Sequence, residues 1–573
     1  MSNEDKIALS DVERIKTGSN FLRGTIVAGL SDAATGALAE ADTQLTKFHG
    51  IYQQDDRDVR NERQEQRLEP AYSFMIRARV PGGRCTPDQW LAMDALARDY
   101  ANGSLRLTTR QAFQLHGVIK RRLKPTIAAI NRSLLDTLAA CGDVNRNVMC
   151  SPNPEVSALH AETLRWAQRI SDHLTPRTTA YHDIWLDGEK LRDDADVPDE
   201  IEPVYGATYL PRKFKIGIAT PPWNDVDVFS QDLGFIAITE QGRLAGFDVV
   251  VGGGMGMSHG DAATYPRVGD VIGFCAPEQV LDVAEQVVTM QRDYGDRSNR
   301  RQARLKYTID RRGLSWFVDE LSARLAQPLQ DPRPFRFLSS GDVLGWRRGE
   351  DDLWHLTLQI PAGRVADQHG LDLLSGLRAI AGLQLGEFLL TPNQNVIISG
   401  IPEASRDTVE TLAREHGLMP DQAGSATRRG ALACVALPTC GLAMAESERY
   451  LPDFLARLEP ILASHGLSDT PLTLRITGCP NGCARPYLAE IGLVGKAPGR
   501  YNLYLGASHT GDRLSHPYLQ NADERTILET LDTLLGDYAR RRETDEFFGD
   551  FLWRRGIAGQ AVGSYQEFPE LRS

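Results

Sequence analysis

The sequence predicts an internally duplicated α+β protein, and three observations carry that prediction. A strand–turn–helix–strand unit near the N-terminus recurs in the second half of the chain. Both copies carry a Pro-x-Gly-Arg turn, at Pro81–Arg84 and at Pro361–Arg364. At 573 residues the chain is too long for one core, so three or more domains are expected.

The first segment, residues 1–65, is a polar N-terminal arm. It opens Met1-Ser2-Asn3-Glu4-Asp5-Lys6, without the apolar stretch of a signal peptide. Such an arm either docks a partner or wraps its own core. The first module, 66–145, begins with alternating apolar residues from Phe74 to Val80, the period of a strand. A turn follows at Pro81-Gly82-Gly83-Arg84. A helix is expected from Pro87 to about Tyr100, and Gly103–Gln111 returns as strand. The second module, 346–424, repeats this order. Trp354–Ile360 is its strand, Pro361-Ala362-Gly363-Arg364 its turn, Leu371–Ala381 its helix and Phe388–Val396 its return. Thr109-Arg110-Gln111 is answered by Pro392-Asn393-Gln394. The shared turn and matched lengths favour duplication over two unrelated units. A larger domain follows each module, 146–345 and 425–573. The first carries Asn145-Arg146 at its start and Arg212-Lys213-Phe214-Lys215 within it. The second carries two cysteine pairs. A pseudo-two-fold axis would set the basic residues of one half opposite the cysteines of the other.

Those pairs are Cys434-x5-Cys440 and Cys479-x3-Cys483, the latter within Thr477-Gly478-Cys479-Pro480-Asn481-Gly482-Cys483. Four thiolates match the need of a 4Fe–4S cluster, one per iron. Glycines beside them leave room for a bulky inorganic group near the backbone. The gaps of five and three differ from the Cys-x2-Cys knuckles of zinc ribbons and from the tight bacterial ferredoxin run. Zinc, or four cysteines serving as small buried hydrophobes, stay open as alternatives.

Composition narrows the class. Hydrophobic content of 42% and charged content of 24% fit a globular enzyme. A net charge of −12 argues against nucleic acid as a partner. No apolar run approaches the roughly 18 residues of a membrane span. Eight cysteines without a signal segment point to a reducing, cytoplasmic setting. Against the acidic background, Arg77, Arg79, Arg106, Arg110, Arg146, Lys213 and Lys215 fall in segments that read as buried. Each alone is read first as half of an ion pair. Together they suggest a small oxyanion or a polyanionic ligand. The run Val251-Gly252-Gly253-Gly254-Met255-Gly256 lacks dinucleotide spacing and reads as a close backbone approach to a flat cofactor, or as a plain turn.

These residues resemble the siroheme-dependent sulfite and nitrite reductase family. The cysteine string and its Cys-x5-Cys partner carry the resemblance. So do Phe48–Asp58, Thr109–Gly117, Leu210–Lys215 and Ile491–Leu503, and the likeness extends from about Ser19 to Gly556. Two positions depart from the family pattern: Ala484 stands where glycine is usual, and Gly441 where proline is common. The resemblance implies two ferredoxin-like modules plus two larger mixed α/β domains around a central cofactor site. It implies a siroheme and a 4Fe–4S cluster held by Cys434, Cys440, Cys479 and Cys483, with Cys483 also the axial ligand of the siroheme iron. Arg77, Arg146, Lys213 and Lys215 would be the substrate-side cations. Arg106, Arg110, Gln114, His116, Arg304, Asn393, Gln394 and Asn395 would face the siroheme carboxylates, with Arg301 and Lys306 as further candidates. The implied reaction is the six-electron reduction of sulfite to sulfide in assimilatory sulfur metabolism and cysteine biosynthesis. Lys215, where nitrite reductases tend to carry Asn, favours sulfite. The sequence shows no flavin or NADPH segment, so electrons would come from an NADPH-dependent flavoprotein (alpha) subunit, with ferredoxin as the alternative. A ferredoxin-dependent sulfite or nitrite reductase is the competing reading, and a non-catalytic four-cysteine zinc protein a remote one.

Overall fold

The computed structural model describes residues 9–177, 185–186, 189–190, 202–368, 370–419 and 424–558. In the first half, β1 (Ile51–Asp55), β2 (Tyr72–Ala78), β3 (Arg84–Cys85), β4 (Leu105–Leu107) and β5 (Phe113–Val118) belong to the module. β6 (Met149–Cys150) follows, then the short ribbon β7 (Trp185–Leu186) and β8 (Glu189–Lys190). β9 (Ile216–Ala219), β10 (Leu233–Glu240), β11 (Arg243–Val251) and β12 (Asp270–Cys275) complete this half. The second half runs β13 (Gly345–Arg348), β14 (Trp354–Leu358), β15 (Arg364–Val365), a ribbon of β16 (Asp367–Gln368) and β17 (Leu371–Asp372), β18 (Glu387–Leu390) and β19 (Val396–Ile401). It ends with β20 (Leu432–Ala433), β21 (Leu474–Thr477), β22 (Ile491–Ala497), β23 (Arg500–Leu505) and β24 (His516–Ala522).

The two module sheets exchange their shortest strands. Their orders are β1-β2-β5-β4-β15 and β13-β14-β19-β18-β3. β15 thus closes the edge of the first sheet, pairing Arg364 with Arg106, and β3 closes the second, pairing Cys85 with Phe388. The Pro-x-Gly-Arg turn makes this possible. Gly83 and Gly363 both have positive φ, 77° and 72°. A Cβ on Gly83 would sit 2.3 Å from the Leu390 carbonyl oxygen, and one on Gly363 2.2 Å from that of Leu107. Only glycine lets the turn lie this close to the other module. The exchange fuses the modules into one apolar core, in which Trp90 stacks on Phe388 across the seam at 4.7 Å.

Helix Pro87–Asp99 starts where expected. Thr86 caps it, Gln89 closes a capping box and Pro87 takes the first turn. Its counterpart is Leu373–Gly382. It begins two residues later than the periodicity suggests, because Leu371 and Asp372 are spent on the ribbon with β16.

The duplication continues into the large domains. In the first, β6, β9 and β10 are parallel neighbours, and β11 and β12 extend the sheet antiparallel. In the second, β20, β21 and β22 are parallel, and β23 and β24 extend it the same way. Equivalent glutamines, Gln111 and Gln394, join module to domain in each half. Both have positive φ. The Gln111 amide donates to the Gly82, Cys150 and Leu390 carbonyls and accepts from the Cys150 N–H. The Gln394 amide donates to the Ala362 carbonyl and accepts from the Ala433 N–H.

The N-terminal arm divides: its first described residues pack on the first large domain, and its last strand, β1, joins the sheet of the first module. Lys16 is wholly buried, ion-paired to Glu13 at 2.5 Å, and donates to the Leu210 carbonyl at 2.7 Å. Among the described residues no helix is long and apolar enough to cross a membrane.

Candidate functional site

The site joins opposite ends of the two related sheets. The cysteines follow the carboxyl ends of β20 and β21, where open parallel sheets commonly hold ligands. The cations of the other half precede β6 and β9, at their amino ends.

Backbone pairing sets the cations. Asn145 bridges to Phe214, and the Arg146 N–H donates to the Phe214 carbonyl at 3.1 Å. Phe214 is buried, so strand alternation turns Lys213 and Lys215 together to the opposite face. Neither ammonium group has a hydrogen bond or ion pair among the described residues. Burial, then Arg212, Arg146 and Arg304, hold Lys213 well below the ordinary lysine range, while Cys483 pulls the other way. Burial, then Arg110, Lys213 and Arg304, depress Lys215 likewise. Arg110, Arg146, Lys213 and Lys215 all keep some accessible surface although burial acts strongly on each. Partial accessibility in so buried a setting points to an internal recess beside them. Arg77 reaches it from β2, directly opposite Gln114 on β5. With its amide turned so that oxygen meets the guanidinium, Gln114 accepts from Arg77 Nε at 3.2 Å, and Arg77 Nη1 lies 3.0 Å from Cys141 Sγ.

The remaining predicted residues divide. Arg110 donates to the Gln231 amide oxygen at 2.8 Å and the Ile216 carbonyl at 2.9 Å, leaving Nε buried without a partner. Arg304 is paired to Asp232 at 2.7 Å and also keeps an unpartnered Nε. His116 is buried with both ring nitrogens unpartnered, and burial, with Arg364, Arg106 and Arg77 nearby, keeps it neutral. These three leave polar atoms for a ligand. Others are committed to the protein. Arg106 pairs with Glu448 at 3.0 Å and donates to the Ala433 carbonyl. Asn393 and Asn395 donate to Asp342, at 3.0 and 2.8 Å, and Gln394 holds its turn. Lys306 clamps the glycine run, donating to the Gly254, Gly256 and Tyr265 carbonyls, and Arg301 lies at the surface. The glycine run abuts the cysteine loop: the Met257 N–H donates to the Pro480 carbonyl at 3.0 Å. A Cβ on Gly253 would lie 2.2 Å from the Phe229 carbonyl oxygen, so a backbone crossing within the domain requires glycine there.

The cysteine loops are held by their own backbone. The Gly478 N–H points at Cys434 Sγ, 3.3 Å away, and the Asn481 amide at Cys479 Sγ, 3.6 Å away. Thr109 Oγ1 donates to the Cys483 carbonyl at 3.0 Å, tying the last cysteine to the first module. Burial, then the charge of Cys483, raises Cys434 above the ordinary thiol range and Cys479 to about 11; the same two causes raise Cys440. As thiolates these groups need positive charge beside them, which iron supplies. Among the described residues no three or more Cys, His, Asp or Glu converge as they would on a single metal ion. The four thiols are close enough to act on one another electrostatically. Gly441 has open space where a side chain would stand, and Ala484 is buried without disturbing the loop.

Comparison with known proteins accords with this geometry. The nitrite/sulfite reductase ferredoxin-like half domain matches residues 66–133 and 347–416. The nitrite and sulphite reductase 4Fe-4S domain matches residues 165–329. The sulfite reductase (NADPH) hemoprotein beta-component of Myxococcus xanthus is 61% identical over 556 residues, 97% of this chain and 98% of the relative. The chain belongs to the nitrite and sulphite reductase family. The corresponding protein of Oceanobacillus iheyensis is 56% identical over 554 residues, 97% of this chain and 96% of its own length. The structure of the Mycobacterium tuberculosis NirA protein shares the fold, with a TM-score of 0.76, 24% identity and coverage of 95% and 96% of the two chains.

The residues fit the cofactors of this family. Four thiols suit the cluster, and the buried, unpartnered atoms of His116, Arg110 and Arg304 lie among other cations, Arg77, Arg106 and Arg146, the positive surroundings a polycarboxylate ring requires. Sequence reading missed the network that locks the parts together. Arg485, in left-handed conformation, pairs with Asp227 and donates to the Thr109 and Pro392 carbonyls, the equivalent turns of the two modules. Arg475 shares Asp227 at 2.6 Å. An arginine two residues after the last cysteine was the available signal. Asp227→Asn leaves two buried guanidinium groups without their counter-charge. It is expected to cost about 3–5 kcal/mol of stability, read as a lowered denaturant midpoint of the holoprotein. An unchanged midpoint would remove this network from the account.

Proposed function

We propose that the chain reduces sulfite to sulfide by six electrons, in assimilatory sulfur metabolism and cysteine biosynthesis, at a siroheme coupled to a 4Fe–4S cluster. The observation that supports this most is the pair of unpartnered lysines, Lys213 and Lys215, in a cationic recess whose electrostatics include Cys483. Cys434, Cys440, Cys479 and Cys483 would hold the cluster, with Cys483 also serving the siroheme iron. His116, Arg110 and Arg304 are the residues left to meet the siroheme periphery, while Gln114 is taken up by Arg77. When bound, the cofactors supply an electron store next to an iron that can take the sulfur of sulfite.

The chain's own residues do the rest. Arg77 and Arg146 offer planar forks to the sulfite oxygens. Lys213 and Lys215, with ammonium protons free, neutralise the anion and hand protons to oxygen as S–O bonds break. Gln114 fixes Arg77, and the Phe214 carbonyl fixes Arg146.

The electron donor is read as an NADPH-dependent flavoprotein alpha subunit, since the close relatives are named beta-components of an NADPH enzyme. Purified holoprotein supplied with sulfite should turn over with NADPH plus such a flavoprotein. Turnover with reduced ferredoxin and none with the flavoprotein would establish the ferredoxin-dependent alternative instead.

A further inference from the structure

The duplication gives the cofactor recess a mate, and the mate has different chemistry. Arg77 pairs with Gln114 across β2 and β5; at the equivalent place Thr357 pairs with Ile397 across β14 and β19. Where the cysteines follow β20 and β21, Asn153 and Asp225 follow β6 and β9. Thr357, Ile397, Asn153 and Asp225 line one small cavity of about 30 Å³, together with Asp342 and Trp223. That volume is about one water or one small ion. Uncharged residues have replaced the cation and amide of the first recess, and two carboxylates meet here instead.

The polar atoms around this cavity are unevenly satisfied. Asp342 accepts from Thr391, Asn393 and Asn395. Asp225 accepts from the Ser151 hydroxyl and the Val226 N–H. Each aspartate is raised by burial first, and Asp342 adds to the rise of Asp225. Both carboxyl groups line this one cavity. Arg347 and Glu155 also line the cavity but are paired with each other at 3.0 Å, and the nearby Arg485 is paired with Asp227, so neither cation is free for the two aspartates. Asn153 is only 7% exposed and its amide oxygen has no partner. A buried acceptor beside two buried carboxylates lacks a positive group.

We propose that this mate site binds a small hard divalent cation, magnesium or calcium, between Asp225, Asp342 and the amide oxygen of Asn153. Two carboxylates and an amide carbonyl form an all-oxygen donor set suited to such ions. The cation would tie the ends of β6 and β9 to the segment before β13, bracing the face opposite the cofactors. Bracing of this kind is independent of the reaction proposed above.

Calorimetric titration of the chelator-dialysed, full-length holoenzyme with magnesium chloride, and separately with calcium chloride, tests this. A one-site isotherm with at least one salt is expected, lost in Asp225→Asn and in Asn153→Ala. Asn153→Ala carries no charge change and keeps the test usable should Asp225→Asn fail to fold. No one-site heat in the unaltered enzyme with either salt, or an isotherm unchanged in the foldable variants, would overturn the proposal and leave a proton shared between the two aspartates.

Discussion

Lys215→Met is expected to lower sulfite turnover by about two to four orders of magnitude, the usual worth of a positioned proton donor, while leaving the cofactor absorption spectrum unchanged. The expectation rests on position and partners. Lys215 shares its face with Lys213, and no carboxylate or carbonyl among the described residues takes its protons. Methionine keeps the length of the side chain and its apolar stem, so the recess keeps its shape. What is lost is a charge that attracts sulfite and a proton for the departing oxygen. Lys213→Met should act in the same direction.

The pH dependence has a definite sign. Burial and neighbouring cations lower both lysines in the folded protein. A proton donor with a lowered pKa loses its proton as pH rises through that lowered value. Turnover should therefore fall on the alkaline side sooner than an ordinary lysine would allow, and this alkaline limb should be weakened in the variants. For stability the sign is opposite. Between the lowered values and the ordinary lysine value, the unfolded chain binds more protons, so these two groups make the fold more stable as pH rises there. Full sulfite turnover in both variants would take the lysines out of the mechanism.

Cys483→Ser is expected to be the most damaging single change, reducing turnover below detection and lowering iron and acid-labile sulfide together. One thiolate of four is lost, and it is the one whose charge acts on Lys213. Its carbonyl is still held by Thr109, so the loop should keep its course and the protein should fold. Paired assays of iron and sulfide on the purified variant check this. A variant that retained its full complement of both would mean that Cys483 is not a cluster ligand.

Much of the architecture was legible because its signals are local. The Pro-x-Gly-Arg turns, the alternating strands and the capped helix at Pro87 each lie within a dozen residues. The cysteine spacing and the Lys-x-Lys alternation are equally compact. Partners far along the chain were not legible. The strand exchange depends on two-residue strands with no periodicity of their own. The duplication of the large domains hides in strands of two to four residues such as β6 and β20. Burial of Arg106 was readable, and the resemblance placed Asn393 and Asn395 near the siroheme, but their commitment to Glu448 and Asp342 was not readable, since spacing cannot say which polar group finds a protein partner. The Asp227 network escaped for the same reason: Asp227 lies 248 and 258 residues from the two arginines, Arg475 and Arg485, that flank the cysteine loop.

The central claim is that the cationic recess and the four thiols serve one joint cofactor site. Absorption spectroscopy of the purified protein, with iron and acid-labile sulfide assayed on the same sample, tests it most directly. The account predicts a heme-type Soret band with a further band in the red, about five irons and about four sulfides per chain. A colourless protein that holds zinc would contradict it.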